Sequence, residues 1–243
     1  IDVGLQQLGL TSLINAKKPT PLDEAKNIIY TLRHVYYDAI GDMYAYIKGS
    51  TGSKNFENHD IVKLGFWPGG DRDGNPFVTA DITRDVMNEL RLTLMKCYYN
   101  DLKGLVHKLT FKDVQEPLQK LRGNLYTAMF DSSKDIGYED LIVPLEEIQS
   151  ILIEKYQSLY LKDLEKFIDK VKIFKVHFAT IDIRQDHSMH TKVMVEVLKK
   201  NGFINDELSE LSDEELLDIL LHKNLDLVAD DYEEDIVKDT IKN

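Results

Sequence analysis

The sequence predicts a mostly α-helical protein with a few buried β-strands. Apolar residues recur at alternating steps of three and four along most of the 243 residues, which is the spacing of one helix face. Several of these stretches begin with a residue that can cap a helix. Two short runs of β-branched, aromatic and other apolar residues interrupt the helical pattern, and we interpret them as strands.

The first well-defined helix is predicted to begin at Thr20-Pro21. Threonine can cap the free backbone N–H groups, and proline suits the first helical turn. The apolar stripe continues to Met43, which predicts a helix of about six turns. Residues 48–59 are polar and carry glycine and serine, so we predict a loop there.

The first predicted strand covers residues 61–67 and runs into Pro68-Gly69-Gly70. Thr79 is positioned to cap the helix that follows, whose apolar stripe extends through Tyr98. Further helical patterns cover residues 112–130 and 141–171. Together these features predict a strand, a glycine-rich loop and a capped helix in succession.

The second predicted strand covers residues 172–184 and is rich in isoleucine, valine and phenylalanine. A helix is predicted from His187 to Lys200, and Asn201-Gly202 should end it. The sequence from Ser212 to Glu215 has the capping-box pattern that precedes a helix.

Composition restricts the class of protein. The chain is 43% apolar and 30% charged, which is typical of a soluble globular protein with a real core. No apolar stretch approaches the ~20 residues of a membrane span, so we expect no membrane insertion. The single cysteine, Cys97, excludes an internal disulfide framework and a cysteine-rich zinc site, and it fits a reducing compartment.

Nearly all of the net charge of −12 lies in the C-terminal tail. Residues 205–243 hold 14 acidic and three basic side chains, and the remainder is almost neutral. No basic stripe suggests nucleic-acid binding. We predict a single partial domain over residues 1–243, with an acidic helical tail segment at 205–243. The acidic run at 230–235 is interpreted as a solvated helix face or a frayed end, with partner docking as the alternative.

The stretch from Gly69 to Pro76, Gly-Gly-Asp-Arg-Asp-Gly-Asn-Pro, has the most unusual composition in the chain. Its glycines allow a ligand to approach the backbone, and Asp71, Arg72 and Asp73 offer charged hydrogen-bonding groups. The alternative is a turn with internal ion pairing. A calcium loop is disfavoured, because its sixth and twelfth positions require glycine and glutamate but hold Pro76 and Ile82.

Asp182 and Arg184 lie two residues apart on the second predicted strand, so they should share one face. An arginine at the carboxyl end of a strand offers a fixed donor fork for phosphate or carboxylate, and Asp182 could hold that fork in place. The alternative is a structural ion pair that closes the strand end.

These motifs together resemble those of phosphoenolpyruvate carboxylases. The stretch from Phe66 to Pro76 matches that family's GGDRDGNP motif, and Asp182-Ile183-Arg184-Gln185 with His190-Thr191 matches its LDIRQ…HT segment. Pro19 to Ala25 is similar to its RPTP-x-DEA stretch. The three matches occur in the family's order.

The resemblance implies a fragment of a helix-rich (β/α)8-type barrel from a cytoplasmic enzyme. That enzyme would condense phosphoenolpyruvate with bicarbonate to oxaloacetate and phosphate, with Mg²⁺ or Mn²⁺, as a homotetramer. The family's upstream histidine motif, downstream glycine-rich arginine loop and acidic metal ligands are missing here. We therefore expect a central fragment that is inactive alone, whose metal ligands lie outside it. The competing hypothesis is a non-catalytic helical interaction module with an acidic docking tail.

For the site residues, the resemblance implies that Arg184 binds the substrate phosphate and that Arg72 belongs to the catalytic loop. The predicted substrate-binding residues are Arg184, Asp182, Asp71, Asp73, Gly69 and Gly70.

Overall fold

The computed structural model describes residues 2–11, 18–51, 56–131 and 134–242, and most of them are helical. Two short strands, β1 (Gly65–Phe66) and β2 (Thr180–Ile181), pair in parallel. The described α-helices are α1 (Asp2–Leu10), α2 (Pro21–Thr31), α3 (Tyr37–Ser50), α4 (Ala80–Lys108), α5 (Gln115–Phe130), α6 (Tyr138–Lys155), α7 (Leu161–Phe174), α8 (His187–Lys200), α9 (Asp213–His222) and α10 (Asp235–Lys242).

The helix predicted to begin at Thr20-Pro21 is confirmed. The Thr20 hydroxyl accepts from the Asp23 backbone N–H at 3.2 Å, and the Asp23 carboxylate accepts from the Thr20 N–H at 3.0 Å. A π-helical turn at Leu32–Tyr36 joins α2 to α3, so the helical segment ends only at Ser50. The loop predicted at 48–59 therefore begins later, and residues 52–55 lie outside the described part of the chain.

A single large core holds α2 to α7 together. The long helix α4 passes through it, and Val86, Leu94, Tyr98 and Leu102 are fully buried along its length. Complete burial of each such side chain stabilises the fold by about 1.5–3 kcal/mol. Thr79 caps this helix by accepting from the Ile82 N–H, as predicted.

The core also buries one lysine, which the apolar pattern did not predict. Lys170 on α7 is only 3% exposed, and its ammonium contacts Asp38 at 2.7 Å and Asp101 at 3.0 Å. The Tyr37 hydroxyl donates to the same Asp101 at 2.8 Å, and Lys170 Nζ lies 4.1 Å from the centre of the Tyr37 ring. These contacts tie α3, α4 and α7 together by charge as well as by packing.

The strand predictions were wrong in extent. Of residues 61–67 only Gly65 and Phe66 form a strand, and of residues 172–184 only Thr180 and Ile181 do. Residues 172–174 instead complete α7, where Phe174 is buried and stacks on Tyr37. The strands are also less buried than predicted, since Phe66 is the one buried residue of the four.

The single helix predicted over residues 141–171 is in fact two helices, α6 and α7. Between them Gln157, Ser158 and Tyr160 adopt left-handed backbone angles, with φ values of 51°, 60° and 59°. The Ser158 N–H donates to the Leu152 carbonyl at 3.0 Å, which closes the end of α6. The turn contains no glycine, so the usual sequence signal for such a helix end is missing.

The acidic tail folds back onto the chain. On α10 and the turn before it, Val237 and Tyr232 pack against Val197 of α8. Lys200 contacts Asp231 at 2.9 Å and Asp226 at 3.3 Å. The acidic run at 230–235 forms a 3₁₀ turn and the start of α10, and its acidic side chains are exposed, as expected for a solvated face. Across the described residues, no helix combines the length and apolar character needed to cross a bilayer.

Candidate functional site

The two sequence motifs lie side by side at the carboxyl ends of β1 and β2. The Asp182 N–H donates to the Phe66 carbonyl at 2.8 Å, which continues the parallel pairing by one step. Further along, the Arg184 N–H donates to the Gly70 carbonyl at 2.9 Å, and the Arg184 carbonyl accepts from the Arg72 N–H at 2.9 Å. Both the N–H and the carbonyl of Arg184 are thus hydrogen-bonded to the glycine-rich loop.

The segment that follows β1 makes a tight turn, whereas the segment that follows β2 runs straight. The first segment advances four residues from Phe66 to Gly70, while the second advances two, from Asp182 to Arg184. The N–H groups of Gly70 and Asp71 both donate to the Trp67 carbonyl, at 2.9 Å and 3.1 Å, and this turn absorbs the difference. The turn lets the loop rejoin its neighbour beyond β1.

Gly69 and Gly70 allow this close approach. A Cβ on Gly70 would lie 2.3 Å from the Asp182 carbonyl oxygen, well inside van der Waals contact. Gly69 has φ of +83°, and a Cβ there would lie 2.6 Å from a Val86 methyl carbon. Both glycines, predicted as substrate-binding, are therefore also required by the packing of the loop against β2 and α4.

Arg72 is buried, and its guanidinium is held from two directions. Nε donates to the Val78 carbonyl at 3.1 Å, and Nη2 is hydrogen-bonded to the Asp239 carboxylate of α10. The other oxygen of Asp239 accepts from the Ala80 N–H at 2.8 Å, at the start of α4. Arg72 therefore forms its ion pair with a residue outside the loop, and not within the loop as the turn alternative predicted. Sequence analysis missed Asp239, which lies in the acidic tail.

The other polar side chains of the loop mostly bond to their own backbone. Asp71 accepts from the Asp73 N–H at 3.4 Å, and Asn75 accepts from the Phe77 N–H at 3.2 Å. These are short Asx-type contacts that shape a turn. Asp71 is half-buried and Asp73 is exposed.

Arg184 and Asp182 are both exposed, so Arg184 is not enclosed in this chain. Within the described residues, neither side chain forms a hydrogen bond or an ion pair, and the alternative of a structural pair between them is not observed. The backbone of Arg184 is therefore fixed while its guanidinium is available to a ligand.

A groove of about 770 Å³ opens beside the loop, between the start of α8 and α10. Arg72, Asn75, Asp186, Ser188 and Asp239 contribute to its walls. Arg184 does not line this groove. The loop and the start of α8 thus form one wall of the groove, and α10 forms another.

The residues described here do not form a metal site. No group of three or more histidine, cysteine, aspartate or glutamate side chains is placed to hold an ion among residues 2–11, 18–51, 56–131 and 134–242. Asp71 and Asp73 lie close together, and the contact between them is the hydrogen bond from the Asp73 N–H to the Asp71 carboxylate described above. We therefore derive no chemical step through a metal from these residues.

Fold and site define a mostly helical protein in which two strand-end loops pair through their backbones and carry an exposed guanidinium. Comparison with known proteins identifies the family. A family model described as phosphoenolpyruvate carboxylase matches residues 3–135 and 129–240. The chain therefore belongs to the phosphoenolpyruvate carboxylase family.

Curated relatives agree with this assignment. A phosphoenolpyruvate carboxylase of Shewanella loihica is 28% identical over 232 residues, which cover 82% of this chain and 26% of the relative. Those of Shewanella sediminis and Vibrio parahaemolyticus are each 29% identical, with coverage of 82% and 79% of this chain. The chain spans about a quarter of the length of these relatives.

Proposed function

We propose that the protein carrying this chain is a carbon–carbon lyase that condenses phosphoenolpyruvate with bicarbonate to oxaloacetate and inorganic phosphate. In this proposal Arg184 binds the substrate phosphate. The observation that carries it is the pairing of a fixed backbone with an uncommitted side chain, since Arg184 is bonded to Gly70 and Arg72 through its main chain alone.

The chemistry of the substrate supports this role. Phosphoenolpyruvate and a carboxyphosphate intermediate are both strongly anionic, and a guanidinium offers two parallel donors to phosphate oxygens. A backbone that is fixed before the ligand arrives lowers part of the reorganisation needed when negative charge develops. Asp182, two residues before Arg184, is proposed to orient the guanidinium once the ligand is present.

A second set of roles concerns the loop. Asp71, Asp73, Gly69 and Gly70 are proposed to line the same substrate face as Arg184. A direct contact between Arg72 and the substrate stays a prediction. Its Nε and Nη2 atoms are already hydrogen-bonded to Val78 and Asp239.

The surrounding architecture is also a proposal. Two parallel strands, each followed by a polar loop and a helix, are what part of a helix-rich (β/α)8-type barrel contains. We propose that the rest of such a barrel encloses Arg184 and supplies the ligands for Mg²⁺ or Mn²⁺. A cytoplasmic homotetramer, and no turnover by this chain alone, complete the proposal.

Replacing Arg184 with alanine in the intact enzyme tests the central claim. We expect kcat/KM for phosphoenolpyruvate to fall by about 10²–10³-fold, the loss typical of removing one charge-stabilising donor. The unfolding midpoint should not change, because the side chain is exposed. Arg84→Ala is the matched control, since Arg84 is an exposed arginine whose described ion pair is with Asp81.

The reaction itself is followed by coupling oxaloacetate formation to its reduction. An intact enzyme that forms no oxaloacetate from phosphoenolpyruvate and bicarbonate with Mg²⁺ would refute the proposed reaction. An Arg184→Ala enzyme with unchanged kcat/KM would refute the role of Arg184 while leaving the reaction standing.

A further inference from the structure

Asp239 joins three parts of the chain through one carboxylate. Its Oδ2 atom is bonded to Arg72 of the glycine-rich loop, and its Oδ1 atom accepts from the Ala80 N–H at 2.8 Å. Ala80 is the first residue of α4, where unpaired backbone N–H groups favour a negative charge. Asp239 therefore serves the loop and the helix start together.

Arg72 depends on this partner because it is buried. Its side chain is 4% exposed, while that of Asp239 is 23% exposed. A buried guanidinium without a counter-charge is strongly unfavourable, so removing the carboxylate would drive Arg72 toward water. Such a movement would displace the loop, because the Arg72 backbone lies within it.

The displacement would reach Arg184 through the backbone. The Arg72 N–H donates to the Arg184 carbonyl at 2.9 Å, and the Arg184 N–H donates to Gly70 in the same loop. Two hydrogen bonds in series, from Arg72 to Asp239 and from Arg72 to Arg184, thus connect Asp239 to the main chain of Arg184, and the bond to Gly70 adds a second link between Arg184 and the loop. The route requires no contact between Asp239 and a ligand.

Helix α10, which carries Asp239, is held in place by contacts with α8. Val237 is 1% exposed and packs with Val197 of α8 and with Tyr232. Lys192 of α8 is also paired with Glu234, just before α10. The helix that carries Asp239 is therefore packed against α8, the helix that begins directly after the Arg184 segment.

We infer that Asp239 is a positioning residue, which fixes the glycine-rich loop and through it the backbone of Arg184. The inference rests on the proposed function, because the consequence of correct positioning is use of phosphoenolpyruvate. It assigns a role in the active site to the acidic tail, 167 residues from Arg72 in the sequence.

The test compares Asp239→Asn, Arg72→Lys and the double variant in the intact enzyme. Asparagine keeps the acceptor for Ala80 and removes the charge that Arg72 requires. We expect kcat/KM for phosphoenolpyruvate, corrected for the folded fraction, to fall by about 10–100-fold, because small misplacements of a binding group have effects of this size. The double variant should fall no further than the worse single variant, since both changes break one link.

Hydrogen exchange provides a readout that does not depend on turnover. In Asp239→Asn, the amides of Arg72 and Arg184 should exchange about tenfold faster or more, because the bond from the Arg72 N–H to the Arg184 carbonyl and the bond from the Arg184 N–H to the Gly70 carbonyl both open more often when the loop moves. Asp230→Asn is the matched control: it makes the same charge change in the same tail, but Asp230 pairs with Lys242 at 3.3 Å and does not reach the loop. Asp239→Glu, which keeps the charge, should retain more activity than Asp239→Asn.

Two outcomes would overturn the inference. One is Asp239→Asn with wild-type exchange and kcat/KM; the other is faster exchange with full kcat/KM, which would make the contact structural only. Should Asp239→Asn fail to fold, hydrogen exchange at the Arg184 amide in Arg72→Lys decides, because that variant weakens the same pair while keeping both charges and the readout does not depend on turnover. Failure of the proposed function is recognised separately, by wild-type kcat/KM in Arg184→Ala.

Discussion

Replacing Gly70 with alanine should separate the two loops of the candidate site. The added methyl carbon would lie 2.3 Å from the Asp182 carbonyl oxygen and 3.1 Å from its carbonyl carbon. Ordinary contact begins near 3.4 Å, so the loop must retreat by about 1 Å, because a backbone atom cannot move aside as a flexible side chain can.

The size of the effect follows from the hydrogen bonds that this retreat breaks. The 2.9 Å bond from the Arg184 N–H to Gly70 would lengthen to about 4 Å, beyond hydrogen-bonding distance. The reciprocal bond from Arg72 would weaken with it. Two disrupted backbone bonds at up to about 0.5–1.5 kcal/mol each, with about 1–3 kcal/mol of overpacking, lower the free energy of unfolding by about 2–6 kcal/mol.

Urea unfolding followed by circular dichroism measures the stability change, and kcat/KM for phosphoenolpyruvate in the intact enzyme measures the functional one. We expect a fall in kcat/KM of about 100-fold. Gly74→Asn is the control within the same loop, because Gly74 has φ of +65° and open space around its Cβ position, and asparagine tolerates such angles. If Gly70→Ala matched the wild type in both measurements, the close approach of the loops would have no energetic importance.

Two further predictions concern buried ionisable groups outside the loops. Burial raises the pKa of the Cys97 thiol to about 12. A thiol-reactive disulfide reagent at pH 8 should therefore label the native chain at least about 100-fold more slowly than the urea-unfolded chain. Rapid labelling of the native chain would contradict this prediction. Burial alone would raise the pKa of Asp169, but hydrogen bonds from His59 and Lys48 outweigh it and hold that pKa below its ordinary value. A lowered carboxylate pKa gives stability that is present above the unfolded-state pKa of about 4 and is lost as pH falls through the folded-state value. Asp169→Asn should therefore cost about 1–3 kcal/mol at pH 7, with a shrinking difference from wild type in unfolding measurements below pH 4, and a constant difference would refute the linkage.

The helix starts could be predicted from sequence because their causes are local. Thr20, Thr79 and Ser212 each cap a backbone N–H within three residues, and each was expected from residue type and spacing. The apolar stripe of α4 was equally accessible, because periodicity alone predicts which side of a helix is buried. These predictions required no knowledge of the remaining chain.

Strand lengths could not be predicted in the same way. A strand ends where its neighbour ceases to offer hydrogen bonds, and β1 and β2 pair over only two residues because the chain turns at Trp67. The apolar residues that suggested a longer second strand include Phe174, which packs equally well on a helix. Short apolar runs do not distinguish a buried strand from the end of a buried helix.

In the candidate site, too, features with local causes could be predicted, and features that depend on distant residues could not. The family resemblance placed both motifs in one substrate site, and their backbones do lie together. The partner of Arg72 could not be predicted, since Asp239 is one of 14 acidic residues in the tail and its spacing carries no motif. The burial of Lys170 was equally hidden, because a lysine in an amphipathic helix ordinarily faces solvent.

The glycine-rich loop is so distinctive in sequence because several of its residues meet separate physical requirements. Gly69 and Gly70 are fixed by close contact with Val86 and with Asp182, and Arg72 by the carboxylate of Asp239. None of these requirements involves a ligand, yet each constrains where the Arg184 backbone lies. If Arg184 binds the substrate as proposed, a substitution in the loop would weaken that binding without contacting the substrate. For this reason kinetic loss in a loop variant should be read together with hydrogen exchange at Arg184 before any direct chemical role is assigned.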